Sequence, residues 1–114
     1  MLKISYEFRK GIFFLRLIGD LSNKSYKEKE EEIKELLIDN KFKYIVINTN
    51  YLERIDLDGL NYITKIYYIT RENKSNLVIC DKFNIFNRLL NKNVPSIKNE
   101  LDVLWGGKHD RYNY

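Results

Sequence analysis

The chain predicts an α/β domain: a mixed sheet of four to five strands with helices packed on it. Three observations carry this expectation. The runs Tyr44-Ile45-Val46-Ile47 and Leu77-Val78-Ile79-Cys80 are apolar without alternation, as strands covered on both faces are. A helical pattern separates them, and a strand-helix-strand unit implies parallel strands joined by a right-handed crossover. An alternating N-terminal segment adds an antiparallel hairpin, which makes the sheet mixed. At 114 residues and 44% apolar content the chain fits one compact domain, expected over 1–105. Residues 106–114, polar after Gly106-Gly107, are expected to form a flexible tail.

In the first element Ile4, Tyr6 and Phe8 alternate with polar residues, and Lys10-Gly11 supplies a tight turn into a second strand, Ile12 to Ile18, closed by Gly19-Asp20. Ser25 and Glu28 have capping-box spacing, so a helix is expected from about Ser25 to Asp39. Its apolar stripe is Tyr26, Ile33, Leu36 and Leu37, and the charges from Lys27 to Glu32 with Lys34-Glu35 make a solvated face. Tyr44 to Ile47 belongs at the sheet centre and is followed by a short link containing Leu52 and Ile55. A second helix starts near Asp56 and runs to about Glu72, with Asn73 to Asn76 as its stop. After the strand Leu77 to Cys80, Asp81 caps a third helix carrying Phe83, Phe86, Leu89 and Leu90, which ends before Pro95. Leu101 to Trp105 adds an edge strand or a last helical turn.

Composition narrows the function classes. Alanine is absent while Lys, Asn, Ile and Tyr abound, a joint bias that fits an A- and T-rich codon pool. The net charge of +4 comes from Lys and Arg scattered among acids, with no basic run to line a phosphate backbone, so nucleic acid is not an expected partner. A single cysteine, Cys80, excludes an intrachain disulfide framework and, with no segment resembling a signal peptide, points to a reducing cytoplasm. Cys80 reads as a small buried hydrophobe, because the only histidine, His109, sits in the polar tail. No metal-ligand cluster or cofactor motif is present in the sequence, so neither a metal nor a cofactor is expected. The most apolar segment, Gly11 to Gly19, is interrupted by Arg16 and too short to cross a bilayer, so no membrane insertion is expected.

The segment Ile55-Asp56-Leu57-Asp58-Gly59-Leu60 follows a buried strand and opens a helix, the place where α/β proteins put their working surface. Asp56 and Asp58 have the spacing of a phosphatase nucleophile and its acid partner. The resemblance to haloacid-dehalogenase-like phosphatases stops there. Leu60 replaces the usual threonine, and the chain is too short beyond the motif for that family's later lysine and magnesium-binding acids.

Coverage favours another family. From Ile4 to about Leu104 the chain resembles a STAS domain, the single-domain fold of bacterial anti-anti-sigma factors. Gly19-Asp20-Leu21 matches that family's Gly-x-Leu-type turn and Tyr44 to Asn48 its buried strand. Asp56-Leu57-Asp58-Gly59-Leu60 matches its Asp-Ser-Ser-Gly-Leu loop, while Leu77 to Cys80 and Phe83 to Leu90 match the end. The aspartate, glycine and leucine of the loop are kept, and both serines are replaced. The resemblance implies a protein-interaction module of a partner-switching pathway, anti-sigma factor antagonist-like and without catalysis of its own. In the family the first serine accepts phosphate from a partner kinase, and the added charge breaks the complex. Leu57 occupies that position and leaves no phospho-acceptor, which implies constitutive binding or control elsewhere. Asp58 takes the second serine's place in the first helical turn, where the macrodipole favours an acid.

At 100° per residue, Leu60, Tyr62, Ile63, Ile66, Tyr67 and Ile69 cover about half of the second helix, and Leu57, Asn61, Thr64 and Tyr68 fall on one line opposite. The expected partner-binding residues are therefore Asp56, Leu57, Asp58, Gly59, Asn61, Thr64 and Tyr68. Expected partners are an anti-sigma factor or related kinase, or another STAS protein, with a second copy of the chain also open. Two other roles are weighed: an accessory STAS subunit of an ABC transporter ATPase, and the small Asp-x-Asp phosphatase.

Overall fold

The structure, a computed structural model, describes residues 1–90 and 94–103, the side chains of Leu89 and Leu90 excepted. Five strands lie in the order β1 (Leu2–Arg9), β2 (Ile12–Leu21), β3 (Tyr44–Ile55), β4 (Asn76–Cys80) and β5 (Ser96–Ile97). β1 and β2 pair antiparallel and the remaining pairs are parallel. The hairpin turns through Lys10 at φ 53° and Gly11 at φ 81°, the two positive values of a type I′ turn, whose twist matches that of the strands. Each later strand is added on the same side of the growing sheet. Right-handed crossovers in one direction place their helices on one face, and that is where the main core lies.

In that core Leu15, Leu17, Ile45, Ile47 and Ile79 from the strands meet Ile33 and Leu37 from the first helical segment. α2 (Leu57–Glu72) adds Leu60, Ile63 and Ile66, and α3 (Ile85–Leu90) adds Phe86. The opposite face carries a smaller cluster, Phe14, Val46 and Cys80, packed by Ile12, Ile97 and Val103. The helical residues 100–103 cover it. Arg16 holds this cover in place: its Nε and Nη2 donate to Glu100 Oε2 and Oε1 at 2.8 and 2.7 Å, and Asn48 Nδ2 adds a 2.7 Å bond.

Several expectations change. The first helical segment is a 3-10 turn (Ser25–Lys29), an α-helical stretch, α1 (Glu30–Lys34), and a π turn (Glu35–Asp39). Its capping box does not form, because Lys24 is the left-handed residue before the turn and the Ser25 hydroxyl donates to the Asp20 carbonyl at 2.5 Å. β2 continues three residues past Ile18, with register shifts that absorb Gly19. The link expected after the central strand is strand throughout: β3 runs to Ile55 because Tyr51, Leu52, Arg54 and Ile55 keep pairing with the extended β2. Phe83 is 64% exposed, since Asn84 takes a left-handed conformation and α3 begins only at Ile85. Asp81 does cap that turn, accepting from Phe86 N at 2.9 Å. The Leu101 to Trp105 segment is helical as far as residue 103. Trp105, His109 and the 106–114 tail lie outside the described residues.

Candidate functional site

β3 runs without a break into Asp56, whose extended backbone (φ −116°, ψ 177°) makes it the N-cap of α2. One carboxylate oxygen accepts from Gly59 N at 2.9 Å, and the other accepts from Asn23 N, also at 2.9 Å. These bonds hold the Asp56 carboxyl below the usual carboxylate range, the Gly59 bond contributing most. Asp56 N in turn donates to the Leu21 carbonyl at 3.3 Å. The turn after β2 and the start of α2 are thus one unit, and the two sequence motifs noted above are its halves.

Gly59 closes the unit. A Cβ there would stand 2.2 Å from the Leu21 carbonyl oxygen and 2.8 Å from its side chain, so the close approach expected of this glycine is made to Leu21. The neighbouring loop is self-braced: Asp20 accepts from the backbone N–H and the hydroxyl of Ser22, which lowers its pKa, and Asn23 and Lys24 both turn through positive φ. Tyr26 stacks on Tyr62 of α2 with centroids 4.1 Å apart. Burial, followed by the Asp58 carboxylate, raises the Tyr26 pKa.

On this base the expected partner residues separate into two kinds. Asp56 and Gly59 build the loop, with Gly59 buried and both Asp56 oxygens engaged. Leu57, Asp58, Asn61 and Tyr68 are exposed, and Leu57, at 61%, is the apolar apex. Thr64 is a correction: it is 3% exposed and donates to the Leu60 carbonyl at 2.9 Å. Its direction differs from that of Leu57 by only about 20°, but toward the buried arc, and the internal bond lets a threonine close that edge. A shallow groove runs along the remaining face, lined by Asn61, Lys65, Tyr68, Ile69 and Glu72 with Thr64 at its floor. Asn23, Lys24 and Tyr26 belong to the same constellation and were missed. Asn23, a residue that tolerates left-handed backbone, was the available signal.

Among the described residues no group of acids, cysteines and histidine could hold a metal ion. Cys80 is fully buried, and burial, reinforced by Glu100, Asp102 and Asp81, pushes its thiol up to about 12. No helix among the described residues is long and apolar enough to cross a membrane.

Comparison with known proteins gives these features a context. The model of the STAS domain family matches residues 3–92. An anti-sigma F factor antagonist of Paenibacillus polymyxa is 25% identical over 108 residues, covering 90% of this chain and 92% of the relative. Two solved structures share the fold. The anti-sigma factor antagonist SpoIIAA in its unphosphorylated form superposes with a TM-score of 0.71 at 9% identity, over 96% of this chain and 98% of that one. An anti-sigma factor antagonist from Mycobacterium paratuberculosis gives 0.73 at 17% identity, over 93% of each.

Proposed function

This chain belongs to the STAS domain family, and from that membership we propose that it is a cytoplasmic protein-binding module of a bacterial partner-switching pathway, one that its partner kinase cannot switch off at the usual loop position. The observation that carries the reading is Leu57. It stands where the family's loop has its first serine, and it presents an exposed apolar side chain with no oxygen to phosphorylate. The partner is an anti-sigma factor or related kinase, docked on Leu57, Asp58, Asn61 and Tyr68 at the start and along the outer line of α2. Apolar contact at Leu57 supplies affinity, and the Asp56–Gly59 frame presents the loop without a rearrangement on binding.

A non-catalytic role is supported by how Asp56 is used. Each of its carboxylate oxygens accepts a backbone N–H, whereas a phosphoryl-attacking aspartate needs an oxygen free to reach phosphorus. Calorimetric titration with the cognate anti-sigma factor kinase, with ADP and then ATP present, tests the proposal. Equal binding with both nucleotides, weakened at least about tenfold by Leu57→Asp, is the expected result. Binding lost on adding ATP, or unaffected by Leu57→Asp, would overturn it.

A further inference from the structure

β1 is an edge strand with no bulge: its register against β2 is unbroken from Leu2↔Gly19 to Arg9↔Ile12. The type I′ turn makes Arg9 and Ile12 a hydrogen-bonded pair, so odd-numbered residues of β1 bond to β2 and even-numbered ones point their peptide groups outward. The 3.3 Å bond from Asp20 N to the Met1 carbonyl fits this parity. Leu2, Ile4, Tyr6 and Phe8 therefore offer their N–H and C=O groups along the open edge. Tyr6 and Phe8 are 52% and 61% exposed, although their rings already contact Phe13 and Phe42.

From this edge we infer that the chain pairs with a second copy of itself, β1 against β1, about a two-fold axis through Ser5. Edge strands are commonly blunted by charge, and Lys3, Glu7 and Arg9 would ordinarily do that here. The sequence makes one antiparallel register attractive instead. With Ser5 opposite its own copy, Lys3 faces Glu7 twice, where Glu7 Oε2 is left over by the Arg16 bond to Oε1, Ile4 faces Tyr6 and Leu2 faces Phe8. Charge and apolar character thus match over Leu2 to Phe8, and Arg9 falls opposite Met1 at the end of the seam. A shift of two residues one way sets Lys3 against Arg9, and two the other way sets it against Ser5. Odd shifts place outward peptide groups against inward ones. The favoured register also aligns the outward-facing peptides of both copies as the bonding pairs and keeps the helices of both on one face of a continuous sheet.

In this arrangement the two Ser5 Cα atoms are about 4.5 Å apart, within disulfide range, while the two Glu7 Cα atoms are about 13 Å apart. Sedimentation of the full chain should give a two-protomer mass in the micromolar range. Mild oxidation should convert Ser5→Cys to a covalent dimer and leave Glu7→Cys uncoupled, the buried Cys80 staying silent. Lys3→Glu and Glu7→Lys should each weaken association about tenfold, two symmetry-related pairs being lost at once, and together restore it. A native chain that stays monomeric through that range, Glu7→Cys coupling as fast as Ser5→Cys, or a charge swap that fails to restore association would overturn the inference. The edge and Leu57 lie on different elements, so Leu57→Asp should leave the mass unchanged, and failure here is separable from failure of the docking proposal.

Discussion

Gly59 lies against the backbone of Leu21 so closely that a Cβ would fall 2.2 Å from the carbonyl oxygen. Leu21 is fully buried and its carbonyl also accepts from Asp56 N, so it cannot retreat without breaking the joint between β2 and α2. In a helix, Gly→Ala ordinarily gains up to about 1 kcal/mol from propensity. Overpacking against fixed backbone outweighs that gain, and Gly59→Ala should destabilise the domain by about 2 kcal/mol, read as a lower urea midpoint.

Asp56 titrates in the direction that favours the folded state at neutral pH. Its folded pKa is lowered by backbone N–H donors, so it binds protons more readily when unfolded. The stability it contributes is present above the ordinary aspartate value and is lost as pH falls through the folded one. Asp56→Asn should lower stability at neutral pH and above and change it least at the acid end, so that the acid limb of the stability–pH curve flattens. Denaturant midpoints measured between pH 2 and 7 check this. Glu100, lowered chiefly by its bond to Arg16, contributes in the same direction and should keep part of the slope in the variant.

The Tyr62 hydroxyl is buried without a hydrogen-bond partner among the described residues, and burial raises its pKa strongly. Removing an unsatisfied buried hydroxyl relieves its desolvation cost, while the ring can keep its stack on Tyr26. Tyr62→Phe should therefore be stabilising by about 1 kcal/mol, against the usual direction for a core substitution. Thermal denaturation by circular dichroism reads the sign.

Glu100 pins the helical residues 100–103 over the face that buries Cys80. Cys80 should be inert to thiol reagents in the native chain. Glu100→Ala removes both the Arg16 and the Asn48 contacts, and thiol labelling should accelerate by about tenfold or more, the equivalent of ~1.4 kcal/mol of local stability. Unchanged labelling kinetics would mean that apolar packing alone holds the cover.

Signals confined to a short window were legible in the sequence. The Lys10-Gly11 turn, the buried runs of β3 and β4, the Asp56 cap and the Asp56-to-Glu72 helix stand where periodicity and capping chemistry put them. Features decided by distant partners were not. β3 extends to Ile55 only because β2 is there to pair with, and Ser25 does not cap because Lys24 holds the N-cap position and the Ser25 hydroxyl donates to the Asp20 carbonyl. Thr64 is buried because a helix face sheds its margin into whatever packs beside it, and the last turn over Arg16 depends on a contact spanning 84 positions. The site followed the same division. Leu57, Asn61 and Tyr68 could be placed on one exposed line from helical angles alone, but their mounting on Leu21 and Asn23 could not.

The most direct test of a docking loop that phosphorylation cannot silence is intact-mass and peptide mass spectrometry after incubation with the cognate anti-sigma kinase and ATP, with Leu57→Ser alongside. The native chain should gain no phosphate within residues 55–60, while Leu57→Ser, which restores a hydroxyl at the loop apex, should be phosphorylated and released from its partner. Phosphate on the native loop segment, or native binding abolished by the same treatment, would contradict the account.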